Sequence, residues 1–183
     1  MRNIVYFGAS NSQNSINGQL AQHAASYLKD VTTNQLNLND FETPLYSIDR
    51  ENADGIPELA QKFSEIIKGA DGVIVSFAEH NGSYTVAFKN ILDWVSRFDN
   101  KTWSGTLMLM LSTSPGARGG ASVLNTATQS FPHFGAKVLS YYSLPEFGKN
   151  FDKEKGITDE KLQDGFFDAL QKFATGLGMP VSA

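Results

Sequence analysis

Apolar and polar positions recur along this chain in two periods, one of strands and one of helices. Asn3 to Gly8 is a short β-rich run ending in small polar residues, and it predicts a central first strand. Ile16, Leu20, Ala24 and Leu28 then fall four apart and mark one face of a helix. Thr32 to Leu38 alternates weakly and predicts an outer strand, while Asn39 to Gly55, polar and broken by Pro44, predicts a loop. Pro57 and Glu58 open a helix through Ile67 that turns Leu59, Phe63, Ile66 and Ile67 inward and ends at Gly69. Gly72 to Phe77 predicts a buried third strand. A polar turn, Glu79 to Ser83, leads into a helix with Val86, Phe88, Ile91, Leu92 and Val95 toward the sheet. Thr106 to Leu111 is nearly continuous apolar, as a strand covered on both faces should be. Ala121, Leu124, Ala127 and Phe131 suggest the next helix, Lys137 to Tyr142 the fifth strand, and Leu144 to Gly156 a loop. Thr158 opens the last helix, with Asp159 and Glu160 in its first turn and Leu162, Phe166, Phe167, Leu170 and Phe173 inside; Gly176 and Gly178 close it.

Strands alternating with helices imply a parallel sheet with right-handed crossovers, an α/β three-layer sandwich. In a doubly wound sheet of order 2-1-3-4-5 the first, third and fourth strands are neighbours, and ligands sit beyond their carboxyl ends. The loops after those three strands are the unusual ones. The first, Ala9 to Asn17, carries Ser10, Ser12, Ser15 and Asn17 just before a helix, where free N–H groups and the dipole favour a phosphate. It has neither the Lys of a P-loop nor three glycines. The plainer reading is that Asn14 or Ser15 merely caps the helix. The second loop runs through Glu79, His80, Asn81 and Gly82; the third is Ser112 to Gly120, glycine-rich and suited to close backbone approach. Their meeting at one crevice is the main expectation that the pattern supports.

Composition narrows the chemistry. There are no cysteines, which excludes disulfides, thiolate metal sites, cysteine nucleophiles and iron–sulfur clusters. A net charge of −4 gives no nucleic-acid footprint. No run approaches the ~18 apolar residues of a membrane helix, and the N-terminus has no signal-peptide pattern, so a cytoplasmic location is expected. At 183 residues, the whole of 1–183 fits one domain. Trp94, Phe98 and Trp103 are more aromatic surface than one sheet face needs, and read as core or as a subunit interface.

At its three loops the chain resembles the NADPH-dependent FMN reductase family of flavodoxin-like proteins, which includes quinone, azo-dye and chromate reductases. Ala9-Ser10-Asn11-Ser12-Gln13-Asn14-Ser15-Ile16-Asn17 keeps both serines and the asparagine of the family's G-S-x-R-x-x-S-x-N. Ala78-Glu79-His80-Asn81-Gly82-Ser83 matches P-E-Y-N-x-S, and Lys89-Asn90-Ile91-Leu92-Asp93-Trp94 matches the following K-N-x-x-D-W. Ser112 to Ser114 and Gly116-Ala117-Arg118-Gly119-Gly120 match a serine-rich strand end followed by G-x-x-G-G. Ser12 stands in place of Arg, Ala78 of Pro and His80 of Tyr.

That resemblance implies an FMN-binding domain that uses NADPH or NADH as co-substrate and passes electrons to a small-molecule acceptor: a quinone, azo compound, chromate or free flavin. Ser10, Ser12, Ser15, Ile16 and Asn17 would hold the phosphate. Ala78, Glu79, His80, Asn81 and Gly82 would lie along the isoalloxazine, with Ser112, Thr113, Gly116 and Gly119 as the opposite wall. Arg118 would meet a nucleotide phosphate or stand as a surface arginine; His80 would touch the ring or stand as an exposed loop histidine. No catalytic side chain and no metal are expected, because the flavin carries the chemistry. A homodimer or homotetramer is implied. Two readings compete: a flavodoxin-type FMN electron carrier serving a protein partner, and a flavin-free α/β domain.

Overall fold

The computed structural model describes residues 1–99 and 101–181. In chain order its elements are β1 (Arg2–Ala9), α1 (Ile16–Ser26), β2 (Val31–Gln35), α2 (Ile48–Asp54), α3 (Glu58–Lys68), β3 (Gly72–Phe77), β4 (Glu79–His80), β5 (Ser83–Tyr84), α4 (Val86–Phe98), β6 (Leu107–Thr113), α5 (Ala121–Ser130), β7 (Lys137–Leu144), α6 (Phe147–Asn150), β8 (Phe151–Asp152), β9 (Gly156–Ile157) and α7 (Glu160–Gly176). Five strands form one sheet, in the order β2-β1-β3-β6-β7 and parallel throughout. That is the expected 2-1-3-4-5 order, with the reversal between β1 and β3.

Side chains on a strand point alternately to its two faces, so each central strand serves two cores. Ile4 and Ile74 pack with Leu20, Ala24, Phe166, Leu170 and Phe173 beneath α1 and α7. Val5, Phe7, Val73, Val75 and Phe77 face α3, α4 and α5, where they meet Phe63, Ile67, Phe88, Ile91, Val95 and Ala127. Trp94 and Trp103 are both about 1% exposed and belong to this second core, so neither serves an interface. Trp103 stacks on Phe131 at 4.5 Å, and Trp94 meets Tyr46 edge-on at 5.1 Å.

Three local expectations are corrected. Val86 does not face the sheet: it is the first residue of α4 and is 71% exposed, because the buried row runs through Phe88, Ile91, Trp94 and Val95. Residues 39–55 are not all loop; α2 lies within them, begun by Ser47, whose Oγ accepts from Arg50 N. The 144–156 stretch is not all loop: it holds the short α6 and β8, which pairs with β9 at its end.

Candidate functional site

The three unusual loops leave adjacent strands at the same edge of the sheet, and the protein ties each to the next. Asn17 lies in the first turn of α1 and is 2% exposed. Its Nδ2 donates to Thr113 O at 3.1 Å; its Oδ1 accepts from Thr113 N at 3.0 Å and from Ser76 Oγ at 2.7 Å. One amide thus joins the helix after β1 to the ends of β3 and β6. Thr85 caps α4 by accepting from Phe88 N, and donates to Ala9 O at 2.9 Å, which draws the second loop onto the end of β1. Ser112 of β6 and Ser143 of β7 both donate to Gly119 O, at 2.8 and 3.0 Å, fastening the third loop to its own strand and to the neighbouring one.

Within the first loop Ser15 is the cap of α1, its Oγ accepting from Gly18 N at 3.1 Å. Ser10 Oγ accepts from Ser12 N at 3.1 Å, and Ser12 O from Ser15 N at 3.2 Å, so the loop coils tightly over the helix start. Ile16 and Asn17 keep first-turn N–H groups that no earlier helical carbonyl can reach. No lysine, arginine or carboxylate lies between Ala9 and Asn17. The loop itself would meet a phosphate with hydroxyls, amides and the helix dipole, and Lys153 lines the cleft beside it. This donor set fits an FMN phosphate; it also borders an open cleft of 690 Å³ that runs along α1 toward Gln35, Asn39 and Lys153 and takes no lining from the second or third loop.

The second loop is a hairpin, β4 paired to β5, turning at Asn81 and Gly82 with φ of 52° and 78°. His80, Asn81 and Gly82 are exposed, and Ala78 is half-buried above Phe77. His80 also lines a second hollow of 310 Å³, shared with Asn11, Phe41, Leu45, Thr85 and Val86. Of the K-N-x-x-D-W residues, Asn90 lines that hollow. Asn90 accepts from Tyr46 N at 2.9 Å and donates to Thr43 O and Pro44 O at 3.1 Å; Trp94 Nε1 donates to Pro44 O at 2.7 Å. Lys89 and Asp93 pair with each other at 2.6 Å.

Glu79 turns away from the hairpin's exposed side, and its Oε2 accepts from Val123 N in α5 at 3.0 Å. In the third loop Gly116 and Arg118 are exposed, whereas Gly119 is buried. Ser112 and Thr113 are buried and their hydroxyls are spent internally, that of Thr113 on Leu144 O at 2.7 Å. Their side chains are not free for a ligand, and the backbone N–H and C=O of Thr113 are already paired with Asn17. The side-chain amide of Asn17 is likewise spent. The family motifs singled out neither Thr85, Ser76 nor Ser143. Thr85 was legible as a Thr directly before a helical run; Ser76 and Ser143 carry no local signal.

Residues 2–148 match the profile of the family described as NADPH-dependent FMN reductase. The chain belongs to that family. Among its curated relatives are the quinone reductase of Escherichia coli K12, 31% identical over 139 residues, 75% of this chain and 72% of the relative, and a probable NADPH:quinone oxidoreductase 2 of Oryza sativa subsp. japonica, 28% identical over 149 residues, 78% and 73% of the two chains. Among solved structures, the FerB flavoenzyme NAD(P)H:(acceptor) oxidoreductase of Paracoccus denitrificans superposes with a TM-score of 0.76 at 23% identity, over 97% of this chain and 98% of that one. The azoreductase AzrA gives 0.69 at 16% identity, over 94% and 99%. These structures establish the flavodoxin-like fold. As a member of the family the chain is an NAD(P)H-dependent oxidoreductase. Among the described residues no helix is long and apolar enough to cross a membrane.

Proposed function

We propose that the three converging loops bind FMN and that the enzyme passes electrons from NADPH or NADH to a small acceptor, a quinone first, with azo compounds, chromate and free flavin as others. What carries the reading is the convergence of three loops at the sheet's switch point, held by side chains that reach from one loop to the next. A relative 31% identical and called a quinone reductase supports the choice of acceptor.

Ser10, Ser12, Ser15 and the backbone N–H groups of Ile16 and Asn17 would hold the phosphate. Ala78, His80, Asn81 and Gly82 on one side, and Gly116, Gly119 and the strand end at Ser112 and Thr113 on the other, would flank the ring. FMN, when bound, supplies the two-electron chemistry between nicotinamide and acceptor. The chain's own residues bind and orient. Short residues at the hairpin tip leave a ring face open for a second planar molecule. The protein acts as one cytoplasmic domain and self-associates as a homodimer or homotetramer. Leu45 and Val86, exposed on one hollow, suit that contact.

The test is steady-state oxidation of NADH and NADPH by FMN-reconstituted protein across an acceptor panel. Acceptor-dependent turnover, with quinones among the fastest, is expected. Bound FMN that neither nucleotide bleaches would reject the enzyme and leave the carrier.

A further inference from the structure

Helix α5 starts without a cap of its own. Its first residue follows Gly120, which has φ of 78° and no side chain to offer. A capping side chain is disfavoured there by the left-handed backbone and because a Cβ on Gly120 would stand 3.1 Å from Ser112 Cβ. The orphan N–H groups of the first turn need an acceptor from elsewhere. Glu79, 44 residues earlier and on the facing wall, provides it through Oε2 to Val123 N at 3.0 Å. Its other oxygen lies 3.7 Å from Arg118 Nη2 in the glycine loop. The Glu79 side chain is 13% exposed and that of Arg118 79%, so the ion pair is screened and the helix contact dominates. A negative charge at a helix N-terminus is further favoured by the dipole. The hairpin's last residue repeats the attachment: Tyr84 Oη and Ser130 Oγ, at the far end of α5, lie 3.2 Å apart. Hairpin and helix are therefore fastened at both ends.

We infer that Glu79 is a positioning residue whose carboxylate sets the spacing between the hairpin and the glycine loop, the two segments between which the FMN reading places a planar ring. The identity of the ring rests on the FMN reading above; the clamp itself does not. Glu79 acts through α5, not on the ring.

Three measurements on full-length flavin-free protein test this: hydrogen exchange at Val123, affinity for FMN and for riboflavin, and the visible spectrum of the bound flavin. In E79A, Val123 exchange rises about tenfold, and FMN and riboflavin weaken by the same factor of about ten. The bound-flavin spectrum moves toward that of free flavin, while the amides of β3 keep their protection. In E79Q, whose amide oxygen still accepts from Val123 N–H, exchange and affinity return to within about threefold of wild type. Unchanged Val123 exchange in E79A, an E79Q as weak as E79A, or a loss confined to FMN would each overturn the inference. Should E79A also lose β3 protection, E79D, with its charge kept and its reach shortened, takes its place with the same expected changes. Wild-type protein that binds neither flavin would reject the FMN reading, and Val123 exchange would still decide the clamp.

Discussion

Asn17 shows how much a single amide can hold. It satisfies the N–H and C=O of Thr113 and the hydroxyl of Ser76, all buried. Asn17→Ala leaves these groups unpaired and should lower the unfolding free energy by about 3 kcal/mol in urea titration, since each orphaned group costs on the order of 1–3 kcal/mol. A loss below ~1 kcal/mol would mean that water replaces the amide. The resemblance assigned Asn17 to the phosphate. Its inward direction was nonetheless legible, because residues 17, 20, 21 and 24 share one buried helix face. His23 makes the opposite case, a titratable group whose burial no pattern announced. It stacks on Phe166 at 5.3 Å and meets Tyr27 and Phe151 edge-on. Burial holds its pKa below the ordinary histidine value of 6.5. Between the two values the unfolded chain takes up a proton that folded His23 refuses, so stability falls as pH drops below about 6.5. The melting temperature should fall more between pH 7.5 and 5.5 in wild type than in His23→Phe, and equal falls would contradict this.

At the scale of elements, two glycines with the same backbone sign predict different outcomes. Gly82, with φ of 78°, closes the two-residue hairpin after Asn81, and a Cβ there would meet nothing within 4 Å. An Asn-Gly pair in such a turn matches the strand twist. Gly82→Ala should cost only the left-handed backbone penalty, about 1 kcal/mol. Gly120→Ala adds a crowded contact with Ser112 at the start of α5 and should cost about 1–3 kcal/mol, with weaker flavin binding. Thermal melts of the two variants side by side check the order; a larger loss at Gly82 would contradict it. Strands buried on both faces were legible to within two residues because nearly every position is apolar, as in Gly72–Phe77, where only Ser76 is polar. Helix α2 was not, because it buries none of its side chains and so carries no hydrophobic period. It is held by polar contacts instead: the Ser47 cap, Tyr46 Oη to Glu51 at 3.0 Å, and Arg97 to Glu51 at 2.9 Å. Val86 was misplaced for a related reason, since an apolar residue at a helix start adds to the period without lying on the buried face.

In the whole molecule, strand order decides where chemistry can occur. Loops that leave β1, β3 and β6 are neighbours only because the sheet runs β2-β1-β3-β6-β7. Alternating runs and the loop motifs made both that order and the convergence legible in advance. The bonds that lock the loops together were not legible, because Asn17–Thr113, Thr85–Ala9 and Glu79–Val123 join residues 44 to 96 positions apart. Those bonds brace the three loops before any ligand arrives, which lowers the ordering cost of binding. The serine loop adds neutral donors aimed at an anion, so the phosphate should matter to affinity even without a positive side chain in the loop. Fluorescence titration of the flavin-free protein with FMN and with riboflavin tests this most directly. The account predicts saturable binding of one FMN per chain, at least about tenfold tighter than riboflavin; equal affinity for the two, or no saturable binding of either, would contradict it.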